Sequence, residues 1–181
     1  MQIIVANGLG LLAVALFVLS YQLRARRGII LLNAASRILY VAQYLVLGAF
    51  EGAALDAAAF AISLLCSKRD RGFVKAHLPL VILCSNALIL AVGVLTWRSI
   101  FSLLAIAGVL LETLALWFSR ERIIRIVSLF AAPCWLAYNL VNVAFGSALG
   151  NVITIVSLAV AIWRYDVWKK EWADKGADLK E

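Results

Sequence analysis

Apolar residues form long runs along the chain, and short polar segments separate one run from the next. Runs of about 20 apolar residues are typical of α-helices that cross a bilayer, where each helix satisfies its own backbone hydrogen bonds. The pattern therefore predicts an all-α polytopic membrane protein with seven spans. These are Ile3–Leu23, Gly28–Phe50, Gly52–Cys66, Leu78–Leu95, Ile100–Phe118, Ile123–Phe145 and Ala148–Tyr165.

Basic residues alternate between the connections. Of the 17 Lys and Arg residues, only Arg37 and Arg98 lie outside every second connection and the C-terminal tail. The positive-inside rule places those basic segments in the cytoplasm, so the N-terminus is expected outside and the C-terminus inside. This orientation requires an odd number of spans. The net charge of +7 is then explained by contact with the lipid bilayer, and no nucleic-acid partner is expected.

Tryptophan supports the same topology, because interfacial positions favour this residue. Beyond the last span, Trp168 and Trp172 lie four residues apart beside Lys169 and Lys170, which predicts a short amphipathic helix on the inner leaflet. The residues from about Ala173 onward are expected to be disordered. Trp135 is the exception, since it lies in the middle of the sixth span.

A shift of 95 residues superposes spans one to three on spans five to seven without a gap. The single fourth span restores the orientation of the second triplet, so the chain is expected to contain two parallel repeats in a 3+1+3 arrangement. In such architectures a site forms near the midplane, where the halves meet. The expected divisions are a first repeat at 1–67, a basic loop and linker helix at 68–97, a second repeat at 98–165, and a cytoplasmic tail at 166–181.

Apart from Arg125 and Arg164, which lie at span ends and belong to the basic segments, three charged residues fall inside predicted spans: Arg37, Asp56 and Glu112. A charge at the bilayer centre costs about 2.5–3.5 kcal/mol on insertion scales, so each needs a partner or a water-filled cavity. Counted along the helices, Arg37 and Glu112 reach nearly the same depth, which predicts an ion pair. Asp56 is shallower, with no cation at its own depth, although the Arg37 side chain is long enough to approach it. Asp56 is expected to line a cavity open to the outside. A static ion pair that only fixes helix packing is the alternative.

The repeat brings polar and aromatic positions into register. Tyr40 superposes on Trp135 and Asp56 on Asn151, with sixteen residues from aromatic to polar residue in each half. Aromatic faces and a few hydrogen-bonding groups suit a small polar molecule. The alternative is that the rings fill helix contacts and that Asn151 hydrogen-bonds between helices. Polar residues that extend the candidate binding set in the sixth span are Tyr138 and Asn139.

At these residues the chain resembles the bacterial YgjV-type inner-membrane family, which is related to the PQ-loop and SWEET proteins. The likeness lies in segments 19–27, 45–56 and 134–151, with the 3+1+3 layout. It implies a multi-pass protein of the bacterial inner membrane. In SWEET-like proteins a Trp of the second helix and an Asn of the third contact the sugar, a pattern that Trp135 and Asn151 match. The Pro-Gln pair that hinges those helices is absent, since Tyr21-Gln22 and Leu116-Trp117 occupy its places.

These patterns leave three classes of function to compare. The leading one is a small-polar-solute transporter or facilitator, with Asp56 suggesting proton coupling or cation selectivity. The second is a non-transporting scaffold, partner subunit or lipid-binding protein. An enzyme is third, because the single histidine, His77, precludes a His-rich zinc site and no nucleophile–base motif is present. No cofactor or metal is expected. The sequence does not decide whether the protein forms a homo-oligomer.

Overall fold

The computed structural model describes residues 2–142 and 144–167, and within them the fold is all-α, as predicted. Six helices are long and apolar enough to cross a membrane, and a seventh, α6, is apolar but has only 16 residues. A π-helical turn follows at Trp163–Val167. The helices are α1 Gln2–Gln22, α2 Arg26–Leu47, α3 Phe50–Ser67, α4 Gly72–Ala76, α5 Leu78–Leu95, α6 Ser102–Trp117, α7 Glu121–Val141 and α8 Phe145–Ile162.

The helix ends correct the predicted boundaries at two turns. Phe50 and Phe145 were assigned to the ends of the second and sixth spans, but they begin α3 and α8. The chain turns earlier, at Gly48, whose φ of 71° ends α2 in the left-handed conformation that glycine adopts readily. The short α4 in the basic loop was not predicted. The predicted surface helix around Trp168 and Trp172 and the disordered segment beyond it lie outside the described residues.

The helices pack as a ring. α1 contacts α2, α2 contacts α3, α3 contacts α6, α6 contacts α7, α7 contacts α8, and α8 returns to α1. α5 lies outside this ring, against α3 and α6. Large apolar side chains such as Leu83, Phe130 and Val156 cover the outside and are more than half exposed, which suits a surface that faces lipid.

Local backbone geometry recurs at intervals of 95 residues. α3 and α8 begin and end 95 residues apart. The residues that precede them have nearly the same dihedral angles, with φ −85° and ψ 64° at Ala49 and φ −86° and ψ 61° at Ala144. Each also donates its backbone N–H over 2.9 Å to the carbonyl five residues earlier, that of Tyr44 or Asn139. The two α-helical hairpins therefore share one turn geometry.

Hydrogen bonds between connections define the two ends of the bundle. At one end, called the basic end, the segments 23–27, 66–71 and 116–125 meet: Arg26 donates to the carbonyl of Phe118, and Arg69 donates to Ser119. At the other, called the opposite end, the turn at 48–49 meets the segment 96–101, where Arg98 donates to the carbonyl of Gly48 over 3.3 Å. The basic clusters of the first, third and fifth connections thus gather at one end of the fold.

Glycines allow the closest approaches between helices. A methyl group at Gly150 of α8 would overlap Val14 of α1, and one at Gly108 of α6 would lie 3.0 Å from the Trp135 ring of α7. Small residues at such contacts let helix backbones approach, which drives association in lipid where the hydrophobic effect does not. The α1–α8 seam and the packing of Trp135 both depend on this.

Candidate functional site

One face of α2 supplies the centre of a buried polar site. Asn33, Arg37, Tyr40 and Tyr44 follow each other at intervals of four, three and four residues, so they lie on one side of the helix. Asn33, Arg37 and Tyr44 are each no more than 2% exposed. The α2 face therefore presents a guanidinium and two phenols to the inside of the ring.

Arg37 binds three side chains at once. Its Nη1 lies 2.6 Å from Asp56 Oδ1 of α3, its Nη2 lies 2.8 Å from Glu112 Oε2 of α6, and its Nε donates to Asn33 Oδ1 over 3.1 Å. Bonds of this length between ionised groups are strong. The structure thus brings Arg37 and Glu112 together, as their calculated depths suggested.

The surroundings of Asp56 differ from those that its depth in the span predicted. Asp56 lines a cavity, described below, but it is 3% exposed and does not lack a cation, because it is paired with Arg37. The depth calculation placed Cα atoms, whereas the long Arg37 side chain spans the difference between the two levels. One guanidinium consequently serves two carboxylates from two helices.

The three charges do not balance. Within residues 2–142 and 144–167, Arg37 makes the only salt bridges to Asp56 and Glu112. With every group in its ordinary ionic form, the cluster would carry one excess negative charge, and no member is more than 5% exposed. Burial of an uncompensated charge is costly, so this site favours a further positive group.

A chain of neutral polar groups continues from the charged cluster. Tyr44 OH donates to Asn139 Oδ1 of α7 over 2.9 Å, and Asn139 Nδ2 donates to Asn151 Oδ1 of α8 over 2.9 Å. Asn139 of α7 therefore joins α2 to α8.

Most of the predicted binding residues line one small cavity. Its volume is about 20 Å³, close to the space of a single water molecule and far below that of a sugar. Tyr138 is not among its lining residues and instead directs its hydroxyl towards Glu51, 3.5 Å away. The lining residues are Phe17, Arg37, Tyr40, Tyr44, Asp56, Glu112, Trp135, Asn139 and Asn151.

Two cross-contacts join opposing helices at the opposite end. Ser147 of α8 donates to Gln43 Oε1 of α2 over 2.9 Å. Tyr138 of α7 lies near Glu51 of α3 in the contact just described. Gln43 and Tyr138 are separated by 95 residues, and Gln43 of α2 contacts α8 while Tyr138 of α7 contacts α3.

Two arginines close the basic end in the same reciprocal way. Arg26 of α2 donates to the carbonyls of Leu116 and Phe118, at 2.6 and 2.9 Å. Arg125 of α7 donates to the carbonyls of Tyr21 and Leu23, at 3.3 and 3.1 Å. The two carbonyl pairs are 95 residues apart, and in this way α2 holds the end of α6 while α7 holds the end of α1. The carbonyls of Tyr21 and Leu116 belong to the two positions at which the Pro-Gln pair is absent from the sequence.

Several of these residues were not predicted. Asn33 and Tyr44 follow from the helical periodicity of Arg37 and Tyr40, so that pattern in α2 could have found them. The Gln43–Ser147 contact and the arginine contacts join residues about a hundred positions apart, and nothing local marks them. Among the described residues no three His, Cys, Asp or Glu side chains cluster as metal ligands.

Comparison with known proteins identifies the family. Residues 4–169 match the profile of Imp-YgjV, a bacterial inner membrane protein family, and the chain belongs to that family. It is therefore a multi-pass protein of the bacterial inner membrane. Neither a curated protein nor a solved structure matches it.

Proposed function

We propose that the protein is a small-polar-solute transporter or facilitator with its site at the Arg37–Asp56–Glu112 cluster. The observation that carries the proposal is a buried, unbalanced charge cluster beside a cavity where α2, α3, α6, α7 and α8 meet. Ionisable residues within membrane helices are costly and are retained chiefly on substrate and ion pathways. Tyr40, Asp56, Trp135 and Asn151 would contact the solute, with Asn139 next to them.

The proposed topology is two parallel triplets, α1–α3 and α6–α8, joined by α5. The shared turn geometry at Ala49 and Ala144 supports it, as do the reciprocal contacts of Arg26 and Arg125. In this topology the N-terminus is outside, the basic end faces the cytoplasm, and α6 crosses the membrane with the other six helices. A ring built from two like halves places its central cavity at their junction.

The proposed mechanism is alternating access. The cavity of about 20 Å³ lies between hydrogen bonds that join the two triplets at both ends. A single hydrogen bond contributes a net stability of about 0.5–1.5 kcal/mol, so releasing one end costs a few kcal/mol while the other end stays closed. Such a difference keeps a minor open state populated. The two sets of end contacts would replace the missing Pro-Gln hinges as the elements that change state.

The excess carboxylate favours a particular kind of cargo. A solute with a positive group, or a neutral solute accompanied by a proton, would bring the cluster to zero net charge. An anionic solute would raise the imbalance and would be disfavoured by Coulomb repulsion at short range. Cation selectivity or proton coupling therefore follows from the composition of the site.

A thermal-shift screen on the purified protein tests the proposal. Sugars, amino acids, amines and organic anions are added separately, and each hit is repeated with Asp56→Asn and Trp135→Ala. Matched controls are Asp70→Asn and Trp97→Ala, which change the same residue types at exposed positions. The proposal expects stabilisation by a cationic or neutral solute that both site variants reduce and both controls keep. A hit unchanged by Asp56→Asn and Trp135→Ala would exclude this site.

The alternative function is a non-transporting scaffold, partner subunit or lipid-binding protein. The small cavity and the close contacts at Gly108 and Gly150 favour it, since a rigid packed ring needs no pathway. The two candidates differ in hydration, because a transporter must open the cavity to solvent and a scaffold need not. No enzymatic activity is proposed, because the cluster holds no nucleophile beside a base.

A further inference from the structure

A cleft at the basic end is lined by two residues whose buried hydrogen-bond donors have no acceptor. Its volume is about 370 Å³, and it lies between the end of α6 and the first turns of α5 and α7. Among the described residues, five buried side-chain polar atoms have no hydrogen-bond partner, and two of them, Arg69 Nε and Trp117 Nε1, belong to residues that line this cleft. Both are N–H donors, so an acceptor is the group that would satisfy them.

Comparison of the two halves explains why Trp117 lacks a partner. The position 95 residues earlier is Gln22, whose side-chain amide donates to Ser157 Oγ over 2.8 Å and to the Ser157 carbonyl over 3.1 Å. The counterpart of Ser157 in the first half is Ile62, whose side chain offers no acceptor. The indole N–H is therefore left unpaired on the α6 side, although Trp117 is only 3% exposed. An unpaired buried donor is destabilising, and a bound acceptor would recover that loss.

Charge at the cleft selects an anion. Arg69 and Arg120 both line it, and Arg69 also donates to Ser119 Oγ. Arg69 pairs with Asp70, whose Oδ1 lies 3.4 Å from Arg69 Nη1, but that carboxylate side chain is 73% exposed and screened by solvent. Guanidinium and indole N–H groups together suit the several oxygens of a phosphate group.

The remaining walls indicate a lipid. Ile82, Leu114 and Ile123 give the cleft an apolar side. It borders α5, the helix outside the ring, whose side chains are mostly exposed and face the bilayer. Basic pockets between membrane helices near the cytoplasmic surface are known sites for anionic headgroups.

We infer that the cleft formed by Arg69, Trp117, Ser119 and Arg120 binds the headgroup phosphate of an anionic phospholipid. Trp117 Nε1 and Arg69 Nε donate to the phosphate oxygens, Arg120 adds charge at the rim, and the apolar wall takes the start of an acyl chain. Binding would also tie α5 to the α6–α7 connection, on the one seam of the ring that the linker helix covers. The inference is independent of any transported solute, because it uses no residue of the central cavity.

Native mass spectrometry of the full-length protein in detergent tests this site. Phosphatidylglycerol, phosphatidylcholine and inorganic phosphate are titrated separately. The expected result is one tightly bound phosphatidylglycerol, with weak binding of phosphatidylcholine and no competition from inorganic phosphate. Trp117→Phe keeps the aromatic ring but removes the N–H, and should weaken phosphatidylglycerol binding about tenfold, since a hydrogen bond to a charged group contributes that much. Arg69→Gln should have an effect of at least the same size.

Matched controls separate this site from general attraction to a basic surface. Arg122→Gln removes an exposed cation from the same connection outside the cleft, and Trp97→Phe changes a half-exposed Trp of the opposite end. Neither should alter the affinity. Arg120→Gln, at an exposed rim position, provides a second site variant if Trp117→Phe fails to fold. Equal losses in Arg69→Gln and Arg122→Gln, equal binding of phosphatidylcholine, or displacement of the lipid by inorganic phosphate would each overturn the inference.

Discussion

Tyr44 donates its phenolic hydrogen over 2.9 Å to Asn139, the residue 95 positions further along the chain. In the proposed repeat, Tyr44 and Asn139 are therefore equivalent positions of the two halves. A residue meets its own counterpart only close to the axis that relates two halves, so this bond marks the axis of the proposed repeat. It also lies at the cavity wall, where Asn139 continues to Asn151. One hydrogen bond thus joins the two second helices directly beside the site.

Removing that bond should open the site towards the opposite end. The change is Tyr44→Phe, and the reporter is Asn151→Cys in a chain whose three native cysteines are replaced by serine. A lost hydrogen bond of about 1 kcal/mol predicts labelling by a water-soluble thiol reagent about fivefold faster than with Tyr44 intact. Tyr165→Phe, which removes a hydroxyl that bonds Gln22 at the basic end, should leave the rate unchanged. Equal rates in all three proteins would show that the axis bond does not control access.

The charge cluster predicts an order of stabilities. Arg37→Gln leaves two buried carboxylates without a cation and should lower the free energy of unfolding by about 3–5 kcal/mol. Glu112→Gln or Asp56→Asn leaves a one-to-one pair and should cost much less. Thermal unfolding in detergent, followed by the loss of soluble monomer on size-exclusion chromatography, measures the order.

Rescue gives the control for this ordering. Adding Glu112→Gln to Arg37→Gln should restore part of the lost stability, and adding Asp56→Asn as well should restore more, because each step removes one unpaired charge. If the triple variant is no more stable than Arg37→Gln alone, ion pairing does not determine the stability of the cluster.

The excess charge also predicts a proton on the cluster when no solute is bound. Infrared spectroscopy at neutral pH should reveal a protonated carboxyl C=O band that shifts in heavy water. Asp56→Asn and Glu112→Gln should each abolish the band, because either change leaves one carboxylate for one guanidinium and no need for the proton. Arg37→Gln should strengthen it. Glu51→Gln reports any contribution from the other buried carboxyl, and a band lost only in that variant would contradict the prediction.

The reciprocal arginine contacts predict equal effects at the basic end. Arg26→Gln and Arg125→Gln each remove donors to carbonyls that occupy the same place in the two triplets. Both changes should therefore raise labelling of Asn151→Cys from the basic end by a similar factor. Arg122→Gln, an exposed cation in the same region, serves as the control. An increase with Arg122→Gln as large as with the other two would indicate a general charge effect.

The seam between α1 and α8 predicts a specific rescue. Gly150→Ala places a methyl group against Val14 and should destabilise the protein by about 1–3 kcal/mol through overpacking. Val14→Ala in the same chain should return much of that loss. Gly8→Ala is a matched control, because nothing lies within 4 Å of a methyl group added there. Unfolding temperatures of the four proteins check the prediction.

How far the sequence predicts this fold depends on which interactions are local. The fourth predicted span, Leu78–Leu95, coincides with α5, because a basic segment precedes it and Thr96 and Trp97 follow it. Phe50 and Phe145, by contrast, were assigned to the wrong helices. Both are apolar residues just after a tight turn, and in the sequence such a residue looks like the continuation of the preceding apolar run. Hydropathy alone does not separate two apolar helices joined by so few residues.

The site could be predicted only where the depth of a charged residue along its helix identifies the residue that it pairs with. Depth suggested Glu112 for Arg37, and the 95-residue register grouped Tyr40, Asp56, Trp135 and Asn151. Depth failed for Asp56, because it ignores the reach of an arginine side chain. The contacts of Gln43 with Ser147 and of Arg125 with Tyr21 depend on how the triplets face each other, which no local pattern encodes.

Labelling from each side of the membrane tests the central claim most directly. Asn151→Cys, in the chain without native cysteines, is placed in right-side-out and in inside-out vesicles and treated with a membrane-impermeant thiol reagent. Alternating access predicts labelling from both faces, slowed on both by any solute found in the thermal-shift screen. Labelling from one face only, or from neither, would contradict transport through this site and favour a static membrane scaffold.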